Sequence, residues 1–258
     1  MDCEEIYIED VQSYISTIFT SEISSSFRGV SNKDYKLIPG IGRYKGDLKN
    51  ILFRESLMLS DFKNKVCSIE SYNDTNELIV VAQHYGLPTR LLDWTTNPLV
   101  ALYFAVSSRD TMTNDGAVYI ANVNGLYKTN SLFDYDNIVF QFGSPVVVNF
   151  MKRYKHIKDT RELILKFFEH TKRKYKPDFL IIRPKAKTKR VIAQDSFFIL
   201  HIDPTMAFDE HVKKKVIIRA EDKKRIKRQL EKLGIHAFSL FPECDGLCKS
   251  IKEKYFPE

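Results

Sequence analysis

The chain has 258 residues, 43% of them hydrophobic and including 18 Phe and 13 Tyr; this is enough apolar mass to bury a core and argues against a disordered segment. No apolar run approaches the roughly 20 residues that span a bilayer, and the acidic start MDCEEIYIED is unlike a signal peptide, so a cytoplasmic protein with no membrane contact is expected. The net charge of +7 is lopsided: residues 1–150 carry 12 Lys+Arg against 18 Asp+Glu, and residues 151–258 carry 28 against 15, an asymmetry that hints at a polyanionic partner.

In chain order, residues 4–18 read as an amphipathic helix and 24–30 as a short strand carrying Phe27-Arg28-Gly29. Residues 47–66 form a helix in which Leu48, Leu52, Leu57, Leu59 and Phe62 fall at roughly helical spacing. A further helix covers 74–85. Asn97-Pro98 opens the next, since Asn is a favoured N-cap and Pro suits the first helical position. The LVALYFAV that follows is apolar all round, which predicts a buried helix. Residues 116–123, 179–184, 196–202 and 216–219 are short β-branched and aromatic runs that read as strands, and the basic 183–190 reads as a loop between two of them. Residues 221–234 form a surface helix with an Ile226, Leu230 and Leu233 seam and a Gly234 stop, after which 235–241 resumes strand character. There are no internal repeats, and the pattern predicts a single α+β domain.

Metal and redox chemistry have little to stand on. The four cysteines, Cys3, Cys67, Cys244 and Cys248, give only one close pair, at C-x-x-x-C spacing, and the six histidines lack metal-ligand spacing. No phosphate-binding loop, G-x-G-x-x-G or H-E-x-x-H occurs. No metal is expected.

The polar residues set in apolar surroundings are more informative. Arg28 lies between Phe and Gly in a strand, so its guanidinium needs an anionic or carbonyl partner. That partner is either an internal carboxylate such as Asp93 or a phosphate, carboxylate or ribose held bidentately. Gly29 would let a ligand approach the backbone. In QHYGLPTRLLDWTTNPLVALYFA (83–105), His84, Tyr85, Arg90, Asp93, Thr95 and Thr96 crowd around a turn and a helix N-terminus, a natural anion site. The bland alternative pairs Arg90 with Asp93 and leaves Asn97 as a simple cap.

Phe27-Arg28-Gly29, residues 83–105, RVIAQDSFF (190–198) and LFPECDGLCKSI (240–251) together resemble the FRG-domain family of bacteria and phages, over nearly the whole chain. A second resemblance is to ADP-ribosyltransferases. Many of these carry an Arg-Gly or His-Gly on the first core strand and a Ser/Thr-rich strand followed by a buried V-A-x-x-F-A helix. Phe27-Arg28-Gly29 and the run Thr95 to Ala105 match those two features.

This second resemblance implies an ADP-ribosyltransferase-like fold, with a mixed or antiparallel split sheet and an N-terminal helical part, and an NAD-using site. In that site Arg28 grips the phosphate or ribose. His84 and Tyr85 flank a ring, Arg90, Thr95, Thr96 and the Gly29 backbone complete the binding surface, and Asp93 and Gln194 orient Arg28 or the ribose. Gln194 stands where these enzymes normally present a Glu, and an amide offers no negative charge to a developing cation. Asp93, Asp195 or Glu243 would then have to supply it, or else the pocket binds a nucleotide without splitting it.

The expected function is therefore an NAD-using toxin or phage-defence effector that modifies an intracellular macromolecule, with a protein acceptor or antitoxin as partner. The runner-up is a non-catalytic nucleotide- or nucleic-acid-binding regulatory module. The basic runs at 172–176, 183–190, 213–215 and 223–228 are either a solvated face or a phosphate track. A metal-dependent nuclease ranks last, for want of a carboxylate cluster.

Overall fold

The computed structural model describes residues 3–21, 25–66, 75–108, 111–123, 178–183 and 188–256. Seven strands form one mixed sheet, in the order β1 (Glu4–Ile8), β7 (Val212–Ile218), β4 (Gly116–Asn122), β2 (Ser25–Val30), β3 (Leu91–Thr95), β6 (Ser196–His201) and β5 (Phe179–Ile182). β1 and β7 run parallel, and every other neighbouring pair is antiparallel. The α+β expectation holds as a mixed α/β arrangement. The sheet is continuous, not split.

Side-chain alternation gives each strand two faces, and in the interior of the sheet both are buried. On one face Ala117, Tyr119, Leu92, Trp94, Phe197, Ile199, Phe179 and Ile181 share a core with Leu37 and Phe208 from loops. The indole of Trp94 meets Phe208 edge-on with centroids 5.4 Å apart. The alternate residues of the same strands face the helices. Phe27, Val118, Ile120, Val216 and Ile218 pack with α1 (Val11–Phe19), α4 (Pro98–Val106) and α6 (Lys223–Lys232). Leu91, Phe198 and Leu200 pack with α3 (Thr75–His84) and Val191 of α5 (Lys189–Ala193).

Helix α4 packs directly on the sheet. Asn97 caps it, its side chain accepting from the backbone N–H groups of Leu99 and Val100, and six of its nine residues are buried. A Cβ built on Gly29 of β2 would sit 1.8 Å from the carbonyl oxygen of Ala101. Gly29 thus serves the contact between β2 and α4, and the ligand approach expected of it is not its role on this face. Gly29→Ala should cost about 1–3 kcal/mol, toward the upper end because the clash is with backbone. Gly40→Ala, whose Cβ would meet Pro88 only at 3.8 Å, should stay within about 0.5 kcal/mol. Denaturant unfolding of both variants checks this, and equal stabilities would mean that helix and strand are not in contact there.

Three expected elements differ. Residues 4–18 divide into β1 and α1, because Asp10 caps the helix by accepting from Ser13 N–H while residues 4–8 pair with β7. Residues 235–241 form a short helix, α7 (Ala237–Leu240), capped reciprocally by His236 and Ser239. Gln194 lies on no strand: it ends α5, Asp195 takes a left-handed backbone at φ 45°, and β6 starts only at Ser196. Helix α2 (Leu48–Val66) is present as expected, but its exposed Leu57 and buried Glu55 invert the apolar pattern locally. A last helix, α8 (Cys244–Tyr255), follows α7. Among the described residues no helix is long and apolar enough to cross a membrane, and no group of three or more His, Cys, Asp or Glu is placed to hold a metal.

Candidate functional site

The junction of β2 with β3 is the weakest seam of the sheet. These strands share one register pair, Phe27 with Thr95, whereas β2 and β4 share six and β3 and β6 share five. Past that pair the two backbones lack a ladder, and Arg28 fills the gap with its side chain. Its Nη1 donates to the backbone carbonyl of Asp93 and lies 3.8 Å from Asp93 Oδ2. A cavity of about 570 Å³ opens here, lined by Arg28, Arg43, Tyr44, Gln83, Thr89 and Asp93 among others.

The Arg28 side chain is only 15% exposed, and its Nε is buried without a hydrogen-bond partner. Burial pulls the guanidinium below its ordinary pKa; Asp93 opposes that, and the like charge of Arg43 adds to it. Two guanidinium groups and one carboxylate therefore line the cavity, a surplus of positive charge that favours an anionic ligand.

Asp93 is the hinge of the site. Its side chain is 57% exposed, and Oδ1 accepts from Nε2 of Gln83 at 2.8 Å. Asp93 and Gln83 also line a second cavity of about 220 Å³, together with His84, Arg190, Gln194 and Ser196. Arg28 thus faces the larger cavity, Gln194 faces the smaller, and the two cavities meet at Asp93. His84 Nε2 approaches Glu243 at 3.3 Å, which links the end of α3 to the residue preceding α8.

Most of the other expected site residues are hydrogen-bonded within the protein. Arg90 is 2% exposed and joined to Glu55 of α2, to which it donates through its backbone N at 3.1 Å, Nε at 2.7 Å and Nη2. Glu55 thus takes its guanidinium into the core. Gln194 is buried; its amide donates to the carbonyl of Leu240 at 3.1 Å and its Oε1 accepts from Ser196 at 3.4 Å. Thr95 is buried and donates to the Gln194 carbonyl at 2.7 Å, while Thr96 donates to the Asp195 carboxylate. Tyr85 is exposed, stands edge-on to His84 and lines neither cavity.

Of the carboxylates weighed as substitutes for the missing Glu, Asp93 is the one that lines these cavities. Arg43, Tyr44, Gln83 and Thr89 belong to the site and escaped the sequence reading. One local signal existed for Arg43 and Tyr44: they follow the Gly40-Ile-Gly42 turn, where a Cβ on Gly42 would sit 1.8 Å from the Pro204 carbonyl oxygen. A turn locked so closely against its neighbour can aim the residues after it.

The basic runs are less available than their composition suggests. Lys214 and Lys215 lie within β7 and pair with Glu4 and Glu5 of β1 at 3.6 and 3.1 Å. Lys223 is fully buried; its Nζ donates to the carbonyls of Ser31 at 2.6 Å and Thr111 at 2.9 Å, and burial pushes its pKa down to about 8. Arg225 donates to the Glu9 carbonyl and to Asp222. The run at 172–176 and residues 184–187 of the run at 183–190 lie outside the described residues.

The fold and site define a mixed α/β protein with a cleft, lined by two guanidinium groups and a carboxylate, at a thinly paired strand junction. Residues 24–114, which contain β2, β3, α4 and the larger cavity's lining, match the family model of the FRG domain. No curated protein and no solved structure matches the chain.

Proposed function

We propose that this protein is an NAD-using, ADP-ribosyltransferase-like effector, a bacterial or phage toxin or defence protein acting on an intracellular macromolecule. The observation that carries the reading is the pairing of a buried guanidinium, with one N–H unpartnered, and an exposed carboxylate across the β2–β3 seam. Arg28, with Arg43 on the same wall, would take the charged diphosphate or ribose side of the nucleotide. Tyr44, 62% exposed at the rim, offers an aromatic face for a ring.

In an ADP-ribosyl transfer the bond between ribose C1′ and the nicotinamide nitrogen breaks. Nicotinamide leaves with the electron pair, and a nucleophile of the acceptor bonds to C1′. Positive charge gathers on the ribose in between, and a fixed carboxylate stabilises it more than an amide can. That role falls to Asp93, because Gln194 is committed to Leu240 and Ser196. His84 and Arg190 line the smaller cavity beside it, on the side from which an acceptor would reach Asp93. The acceptor proposed is a protein or a nucleic acid, and an antitoxin would cover the same cleft.

Incubation of the purified protein and a cell lysate with adenine-labelled NAD tests this. Nicotinamide release or label on a macromolecule is expected. Asp93→Asn should lower it by about 100-fold or more, and Arg28→Lys should fail almost as badly as Arg28→Ala, since Lys keeps the charge but loses the planar fork. NAD binding without turnover would favour a non-catalytic nucleotide-binding regulatory module. Neither binding nor turnover would sink the NAD reading.

A further inference from the structure

The hydrogen bonds around Asp93 have a direction that can be worked out from one fixed acceptor. The backbone N–H of Leu91 donates to Thr89 Oγ1 at 3.2 Å. The Asp93 carboxylate can only accept, so the Gln83 side chain turns its NH₂ to Asp93 and its Oε1 to Thr89, whose hydroxyl donates to it. The Gln83 NH₂ lies 2.8 Å from Asp93 Oδ1. On the other side Arg28 holds the Asp93 carbonyl and stands 3.8 Å from Oδ2.

From this we infer that Gln83 is a positioning residue, set by Thr89, that holds the Asp93 side chain in place as an acceptor at the boundary of the two cavities. A carboxylate with more than half its surface open to water would otherwise rotate freely; here an amide from α3 fixes one oxygen and a guanidinium from β2 faces the other. Gln83 and Asp93 are the two residues that line both cavities, so the relay sits where a bound donor and an acceptor would meet. Gln83 touches no reacting atom in this scheme. It acts through Asp93, and its consequence for turnover rests on the reading of Asp93 given above.

Two measurements separate the relay from that reading. The first needs no NAD: the side-chain amide signals of Gln83 in a ¹H–¹⁵N spectrum, assigned with Gln83→Leu. They should stand apart from those of solvent-exposed glutamines, move in Asp93→Asn and in Thr89→Val, and return in Thr89→Ser, which keeps the hydroxyl. Gln83 signals indifferent to Asp93→Asn would overturn the relay whatever the protein does with NAD. The second is kinetic. Gln83→Leu should lower kcat for nicotinamide release by about 10- to 100-fold with KM near wild type, the size expected when a reacting group is slightly misplaced. Thr89→Val should follow it and Thr89→Ser should not. Wild-type kcat in Gln83→Leu would also overturn the proposal. A wild type that releases no nicotinamide removes the NAD reading, and the spectra still decide the relay.

Discussion

Replacing Glu55 by Ala is expected to remove about 3–5 kcal/mol of stability, the usual cost of stranding one member of a buried ion pair. Both partners are 2% exposed, and Glu55 satisfies the backbone N–H, Nε and Nη2 of Arg90 together. Its loss would take away the acceptor of three Arg90 donors and the counter-charge of a buried cation at the entry of β3, the strand that carries Asp93. Replacing the pair with Glu55→Leu and Arg90→Met should recover most of the loss, because no charge is then left buried. Denaturant unfolding of the single and double variants gives the comparison. If Glu55→Ala were as stable as wild type, Arg90 would have to reach solvent or another acid, and the core assigned here between α2 and β3 would be wrong. Nicotinamide release measured on the double variant would also distinguish Arg90 as a core residue from Arg90 as a ligand contact, since the former predicts that activity survives.

A second large effect is expected in acid. His201 is fully buried, with Nδ1 2.9 Å from the Met206 carbonyl, which makes Nδ1 the protonated nitrogen of a neutral ring, while Nε2 is buried without a partner. The rings of Phe179 and Phe208 stand against it, at centroid distances of 4.8 and 6.2 Å. Burial pulls the pKa of His201 from 6.5 down to about 4, partly opposed by the bond to Met206. In the unfolded chain the ring takes up a proton below about pH 6.5, and in the folded protein it does not until about pH 4. The unfolded state therefore binds more protons in that window, and stability falls as pH falls through it. At 1.36 kcal/mol per unit of pKa difference the loss is about 3 kcal/mol between pH 6.5 and 4. His201→Leu should flatten that part of the stability–pH curve relative to wild type. Curves of the two proteins that run parallel from pH 7 to 4 would show that the ring is not buried neutral.

How much of this was legible in the sequence depended on whether the signal was local. Asn97-Pro98 marked the start of α4 because a cap and a first-turn proline act within a few residues. Gly234, at φ 82°, stands just beyond α6 for an equally local reason. The apolar runs of β4, β5 and β6 named themselves as strands because both their faces are buried. The stretch from His84 to Ala105, with Arg28, pointed to the cleft at the β2–β3 seam, since polar side chains in so apolar a setting need partners.

Other features were set by distant parts of the chain. Residues 4–8 become a strand only because β7 offers an edge to pair with, its Lys215 meeting Glu5 from 210 residues away. Which charged residue would face a ligand could not be read from the order Arg90, Leu91, Leu92, Asp93. Glu55, 35 residues upstream of Arg90, takes that guanidinium into the core and leaves Asp93 to Arg28 and Gln83. Glu55 did leave a trace, a lone acid one helical step from Ile51 and from Leu59, where an apolar residue is expected. Gly29 suited a ligand's approach as well as a helix's until Ala101 was seen against it. Composition and local pattern thus determined the class of fold and the neighbourhood of the site. The cleft itself was decided by tertiary structure, because it exists where two strands share only one pair, and strand pairing across 68 residues has no local code.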